Sequence, residues 1–382
     1  MVLRVDIQPE FFPWACERAG LDPADLHHRF KNLPDWESSA KKPTLKQLEA
    51  FARVTHTPLG YFFLPEPPHE EIPIPDLRTT RNQAITHPSP DLLDTIYAMQ
   101  RRQAWLREEL IECEADSLDF VASARVSDDP QGVGLEMRRV VGVANGWAAA
   151  VRTWREAVGK LRQWIETLGV TAVINGVVGN NTHRKLDVEE FRGFALSDEF
   201  APLVFVNGAD AKSAQMFTLA HELAHIWLGE SALTDTGLTL RPSQEIESWC
   251  DRAAAEFLVP AEELRAYWRK VRHYESPFEA IARQFKVSPI VAGRRAMDLS
   301  LVSPRRFFSF YDEYIARERK QRSGPGGDFY KNQNMRIGER FAIQVILAAK
   351  GGRLSFKEAY DLTGLRGGAF QEYANRLGVP LP

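Results

Sequence analysis

The chain has 382 residues, of which 44% are hydrophobic and 26% charged, and its formal net charge at pH 7 is −3. These values exclude a mostly disordered chain, a collagen-like repeat and a basic field over the whole chain for nucleic acid. The length is typical of two or three domains. The three cysteines lie far apart and the first residues lack the apolar core of a signal peptide. We therefore expect a cytoplasmic protein with free thiols and no membrane span.

The predicted elements divide the chain into helical stretches around one short region of strand-like runs. Seven of the 23 prolines fall between residues 65 and 90, which predicts an extended linker there. Runs rich in valine, isoleucine and phenylalanine lie between 170 and 207. We expect an α+β fold class in a mostly helical, multi-domain chain. The predicted segments are 1–64, 65–90, 91–164, 165–275, 276–322 and 328–382.

The most informative motif is His-Glu-Leu-Ala-His at residues 221–225. Residues four apart lie on the same face of a helix, so His221 and His225 can direct two imidazoles at one zinc ion. Glu222 lies beside the open coordination position, where a carboxylate can act as general base on zinc-bound water. The alternative is a helix that carries two histidines at this spacing by chance.

A zinc site of this kind needs a third protein ligand. The amphipathic pattern over 244–260 carries Glu247 and Asp251 four residues apart. We expect Glu247 to ligate zinc and Asp251 to hydrogen-bond the outer nitrogen of a ligand histidine, which would fix the orientation of that ring. Glu245 and Cys250 are the alternative ligands, and a solvent-facing carboxylate pair is the alternative without a metal.

A strand-like run precedes the motif and gives a candidate for substrate binding. Zinc peptidases of this general design pair an edge strand beside the metal with an extended peptide. An ordinary core strand is the equal alternative for this run. His183 and Arg192 are weak candidates for stabilising an oxyanion. The candidate substrate-strand residues are Leu203, Val204, Phe205, Val206 and Asn207.

Residues 191–229 and 245–260 resemble ImmA/IrrE-type metallo-endopeptidases, which are bacterial and phage-encoded zinc proteins. Many members act on transcriptional regulators or are fused to them. In that family the second segment usually reads ExxANxFAxELLxP, which places the glutamate on Glu247 and the asparagine or aspartate on Asp251. Ala253 stands where the family usually has phenylalanine. The resemblance implies zinc as cofactor and a zincin-like core, formed by a small β-sheet and the HExxH helix, at 165–275.

The N-terminal residues 1–64 resemble the XRE-type helix-turn-helix module that is often fused to this family. Only KNLPD separates Phe30 from Trp36, about four residues fewer than DNA-reading members carry at their recognition helix. We expect this truncated module either to contact DNA phosphates or to have a protein-binding or purely structural role. The candidate phosphate contacts are Lys31, Lys41 and Lys42.

A second helix-turn-helix-like pattern lies within 276–322 and contains Arg294 and Arg295. We expect it to serve packing, with DNA contact as the alternative. The cluster RERKQR at 317–322 is expected to be a solvated helix end.

The motif predicts a zinc-dependent endopeptidase, and the resemblance to ImmA/IrrE proteins implies that it cleaves a specific regulatory protein, such as a repressor or antitoxin. The alternative is a non-catalytic transcriptional regulator or antitoxin-type protein that uses the zinc fold and the N-terminal module to bind DNA or a toxin. The expected partner is a protein substrate, repressor, antitoxin or toxin. DNA is an optional partner, and no membrane is expected.

Overall fold

The computed structural model describes residues 3–70, 88–229, 243–318 and 329–381. These residues divide into two units, the first formed by residues 3–70 and 88–97 and the second by the described residues from 98 onward. Among the described helices, none combines the length and hydrophobicity that a bilayer crossing requires.

The first unit consists of short helices around an aromatic core. Thr44 and Gln47 form a capping box that starts the helix Leu45–Val54, the longest one that lies wholly in this unit. Phe12, Trp36 and Phe51 pack against one another with ring centroids 5.5 to 6.3 Å apart. The elements are α1 (Phe11–Arg18), α2 (Pro23–His27), α3 (Leu33–Glu37), α4 (Leu45–Val54), a 3-10 helix (Leu59–Phe63) and the start of α5 (Pro90–Glu112).

The second unit contains the strands and the remaining helices. The strands are β1 (Thr171–Asn175), β2 (Val177–Val178), β3 (Asn181–Lys185), β4 (Gly193–Leu196) and β5 (Leu203–Asn207). The helices are α6 (Pro130–Val141), α7 (Trp154–Leu168), α8 (Lys212–Leu228), α9 (Ser243–Leu258), α10 (Ala261–Val271), α11 (Pro277–Phe285), α12 (Pro289–Asp298), α13 (Pro304–Glu318), α14 (Phe329–Ile337), α15 (Glu339–Lys350), α16 (Phe356–Thr363) and α17 (Gly368–Arg376). The α+β fold class is confirmed.

A three-stranded sheet supports the HExxH helix. Its order is β1-β5-β4, with β1 parallel and β4 antiparallel to β5, and β2 and β3 form a separate hairpin. One sheet face packs on α8, where Val204 and Val206 share a core with Leu219 and Leu223. On the other face, Phe194 and Phe205 stack with ring centroids 5.0 Å apart. Burial on both faces fixes the register of β5, because a slip of one residue would reverse every side chain.

Two small residues let α6 and α9 pack closely. A Cβ atom on Gly134 of α6 would lie 2.6 Å from the carbonyl oxygen of Ala253 on α9, so only glycine fits there. Ala253 is fully buried at this contact. The resembling family usually has phenylalanine at position 253, and alanine there lies in a closely packed part of the core.

The second helix-turn-helix-like pattern forms α11 and α12, and it directs one arginine inward. Arg295 forms an ion pair with Glu256 of α9, and the two side chains are 2% and 3% exposed. Its Nε also donates to the carbonyl of Val259 at 3.1 Å. Arg294 is exposed and pairs with Asp298 at 3.0 Å. Arg295 therefore serves packing between α12 and α9.

Glu166 of α7 is buried where α15 begins. Its carboxylate accepts a hydrogen bond from the backbone N–H of Glu339 at 2.9 Å and pairs with Arg162 at 2.5 Å. Burial raises the pKa of Glu166 to about 7, against the opposing charge of Arg162 and the hydrogen bond from Glu339. The protonated form is therefore favoured by the fold.

The raised pKa of Glu166 predicts a pH-dependent stability. The folded state binds this proton more tightly than the unfolded chain, whose glutamate pKa is 4.5. The contribution is fully present below pH 4.5 and is lost as the pH rises to about 7. We expect the free energy of unfolding to fall by about 3 kcal/mol over that range.

Glu166→Gln is the matched control, since glutamine does not titrate and still offers an oxygen to the Glu339 N–H. The free energy of unfolding of both proteins is measured against pH by urea titration and by hydrogen exchange of the α15 amides. A constant difference between the profiles from pH 4.5 to 7 would contradict the prediction.

Candidate metal centre

Helix α8 carries the HExxH motif on a face that its own packing leaves open. Leu219, Leu223 and Ile226 are fully buried in the core, whereas His221 and His225 are partly exposed. The two histidines share this face because residues four apart on a helix lie one above the other. The helix ends after Leu228, at Gly229, which has a φ of +70°.

Three side chains converge at this face. His221 Nε2 lies 3.2 Å from His225 Nε2 and 3.1 Å from Glu247 Oε2. Glu247 Oε1 lies 3.4 Å from His225 Nε2. Ligand atoms that hold one zinc ion tetrahedrally at its usual bond lengths are roughly 3.3 to 3.6 Å apart. The spacing and the donor set of two imidazoles and one carboxylate therefore fit zinc. Glu247 reaches the histidines because α9 packs against α8.

Asp251 holds His221 from the other side of its ring. Asp251 Oδ1 lies 3.0 Å from His221 Nδ1. Donation from Nδ1 leaves Nε2 free to face the ion. Burial would lower the pKa of His221, but the hydrogen bonds to Asp251 and Glu247 raise it well above its usual value. Burial would raise the pKa of Glu247, but the hydrogen bonds of His221 and His225 hold it well below its usual range.

Glu222 is buried beside the candidate metal ligands and strand β4. Glu222 is 8% exposed. Gly193 lies so close to it that a Cβ atom added to this glycine would be only 3.0 Å from Glu222 Oε1. The same atom would lie 2.6 Å from Cγ2 of Thr218. Burial raises the pKa of Glu222, against the charges of His221 and His225. A carboxylate with a raised pKa suits the role of proton acceptor, and glycine at 193 lets β4 pass directly beside it.

The prediction that β5 is the substrate strand is wrong. Residues Leu203–Asn207 form the central strand, which is hydrogen-bonded to β1 on one side and β4 on the other, and all five residues are buried. A strand with both edges paired cannot add a peptide. The uninterrupted apolar run LVFV is typical of a central strand, so the sequence already indicated that this strand lies inside the sheet.

Strand β4 is the edge beside Glu222, and no described strand pairs with its other side. Asn207 N–H donates to the Arg192 carbonyl at 2.7 Å, which fixes the alternation of the antiparallel ladder. The backbone N–H and C=O groups of Gly193 and Ala195 consequently point away from β5. Gly193 is partly exposed and Ala195 is 7% exposed, so an extended peptide would reach this edge at Gly193.

The other candidate residues lie outside the ligand cluster. Glu245 is exposed at the start of α9, and Cys250 is fully buried in the core. The cluster of described residues includes neither of them. His183 is exposed on β3, and Arg192 pairs with Asp210 at 3.7 Å.

The lysines predicted to contact phosphate lie on the surface of the first unit. Lys41 pairs with Asp35 and Lys42 with Asp6, each at 2.7 Å, and Lys31 is exposed. Residues 3–70 carry eight Lys and Arg against ten Asp and Glu, so the net charge of this segment is −2. The segment lacks the positive charge that dominates DNA affinity, and DNA contact by these lysines stays a prediction. The cluster at 317–322 lies largely outside the described residues.

Comparison with known families finds a match over the part of the chain that holds this centre. Residues 166–297 match the model of the IrrE N-terminal-like domain, Peptidase M78, which supports membership of that region in the ImmA/IrrE family. The match begins in α7, ends in α12 and includes the sheet, α8 and α9. Residues 337–376 match a domain of unknown function. No curated protein matches the chain.

Removing the partner of His221 is expected to weaken metal binding. We expect Asp251→Ala to lower the affinity for zinc by about 10- to 100-fold, because the ring of His221 loses the group that orients it. Competition with a chromophoric chelator measures the affinity. Glu245→Ala is the control, since it removes the same charge from the same helix outside the cluster. Equal affinities for the two variants would contradict a positioning role for Asp251.

Proposed function

We propose that the chain is a zinc-dependent endopeptidase that cleaves an extended segment of another protein. One observation carries the proposal: the buried carboxylate of Glu222 lies beside the converging side chains of His221, His225 and Glu247 and against Gly193 of β4, a strand whose far side no described strand pairs. A structural zinc site has no need of a buried carboxylate beside an edge strand. The match of residues 166–297 to a peptidase family supports the same conclusion.

Different residues of the chain have different roles in the proposed reaction. His221, His225 and Glu247 would hold a zinc ion, which supplies Lewis acidity and lowers the pKa of a bound water. Glu222 accepts a proton from the water as its oxygen bonds to the scissile carbonyl carbon. Glu222 then gives this proton to the amide nitrogen as the carbon–nitrogen bond breaks, so its carboxylate is regenerated.

Strand β4 sets the class of substrate. The backbone groups of Gly193 and Ala195 pair with an extended chain and are indifferent to its side chains. A folded segment whose backbone groups are already paired cannot bind there. We propose a regulatory protein, such as a repressor or antitoxin, as the substrate, on the basis of the resemblance to ImmA/IrrE proteins, and cleavage in an unstructured stretch of it.

The test uses an extract of the organism that carries the gene. Zinc-loaded protein and the same protein with chelator are incubated with the extract, and new protein N-termini are labelled and identified by mass spectrometry. We expect zinc-dependent termini in one or a few proteins. An extract with no zinc-dependent termini would overturn the proposal and favour the non-catalytic alternative.

A further inference from the structure

A buried side-chain amide from a distant helix holds both ends of the turn between β4 and β5, which a backbone hydrogen bond from Leu118 N–H to the Glu199 carbonyl at 2.8 Å also supports. Gln103 of α5 is 8% exposed, and its Nε2 donates to the Leu196 carbonyl at 2.9 Å and to the Ala201 carbonyl at 3.1 Å. Leu196 is the last residue of β4, and Ala201 lies two residues before β5. Both hydrogens of the amide nitrogen are used, so Gln103 fastens the two ends of the turn at one point.

Strand β4 needs such support. It has four residues, it pairs with β5 alone among the described strands, and it contains Gly193, which adds backbone freedom. Within the turn, Asp198 accepts hydrogen bonds from the N–H groups of Phe200 and Ala201 at 2.9 and 2.8 Å. Arg107 also pairs with Asp198 at 2.9 Å, but its side chain is 43% exposed. An exposed ion pair contributes little to holding a strand.

We propose that Gln103 is a positioning residue for substrate binding, which fixes the open edge of β4 in line with Glu222. The inference rests on the proposed function. Gln103 touches neither metal ligands nor substrate, and its effect passes through β4. The metal ligands lie on α8 and α9, so a change at Gln103 separates substrate alignment from metal binding. A merely structural role would instead weaken both or neither.

Two probes distinguish these roles in the zinc-loaded protein. Acetohydroxamate binds the metal alone, whereas a random-sequence mixture of N-acetyl-tripeptide hydroxamates binds the metal and the strand edge. Gln103→Met keeps the length of the side chain and removes the donor. We expect its affinity for the tripeptide mixture to fall about tenfold or more and its affinity for acetohydroxamate to stay within about twofold, since loss of two buried hydrogen bonds disorders the edge.

The controls keep the test decisive. Arg107→Ala removes the exposed ion pair of the same turn and should leave both affinities unchanged. If Gln103→Met fails to fold, Gln103→Asn is measured with the same probes. Its side chain keeps a donor but is too short to reach both carbonyls.

Equal losses of affinity for both probes, or no loss for either, would overturn the inference and leave the proposed function standing. A wild-type protein that binds the tripeptides no more tightly than acetohydroxamate would overturn the inference together with the role of β4. A wild-type protein that binds neither would remove the metal centre itself.

Discussion

Replacing Glu222 by glutamine is expected to slow peptide cleavage by a factor of about 10² to 10⁴, while about one zinc ion per chain remains bound. Glutamine has nearly the same size and fills the same buried position beside Gly193. It cannot accept the proton of the attacking water or deliver it to the leaving nitrogen. The candidate ligands His221, His225 and Glu247 are unchanged, so we expect the metal to stay bound.

The measurement combines zinc content with the cleavage rate of a peptide that spans the scissile bond of the identified substrate. Glu245→Gln is the matched control, because it makes the same chemical change on an exposed side chain outside the cluster. A Glu222→Gln protein that keeps zinc and cleaves at the wild-type rate would exclude Glu222 as the general base.

The second large effect is expected in stability, at the buried ion pair of Arg295 and Glu256. Arg295→Met removes the cation and leaves the carboxylate of Glu256 buried, with the backbone N–H of Ala261 as a donor at 2.9 Å. Breaking such a pair from one side costs about 3 to 5 kcal/mol. We expect a loss of this size in the free energy of unfolding, measured by urea titration with hydrogen exchange of α9 and α12.

A double variant tests the cause of that loss. Arg295→Met combined with Glu256→Leu replaces both charges with apolar groups of similar volume, and the pair as a whole is close to neutral against such a replacement. We expect the double variant to recover most of the stability, less the two hydrogen bonds that the Ala261 N–H and the Val259 carbonyl lose. If the double variant is less stable than Arg295→Met, the unpaired carboxylate is not the source of the loss.

The parts of the site that follow from helix geometry could be predicted from the sequence. The spacing of His221 and His225 determines their common face, and the structure brings Glu247 to the same point with Asp251 behind His221. The α+β class also followed from local patterns. These features depend on residues close in sequence or on a motif with fixed spacing.

The features that the sequence did not reveal depend on contacts between distant segments. Strand β5 is central only because β1, about 30 residues earlier, pairs with its other edge. Gln103 precedes β4 by about 90 residues and lies in an ordinary helical pattern, so nothing in the sequence marks it. The fit of Gly134 against Ala253 likewise arises from the crossing of two helices.

The shortness of β4 limits how tightly the centre alone can hold a substrate. Gly193 and Ala195 direct four backbone groups away from β5, and at about 0.5 to 1.5 kcal/mol for each hydrogen bond these groups contribute at most about 2 to 6 kcal/mol. Even before the entropy of association, that corresponds to dissociation constants from about 40 mM to about 40 μM. A segment held by this strand alone would bind weakly, and a second contact that raises the local concentration of the segment would strengthen its binding. Selectivity among cellular proteins would then be set by where a protein docks on the chain, and the sequence around the cleaved bond would be a weak guide to the substrate.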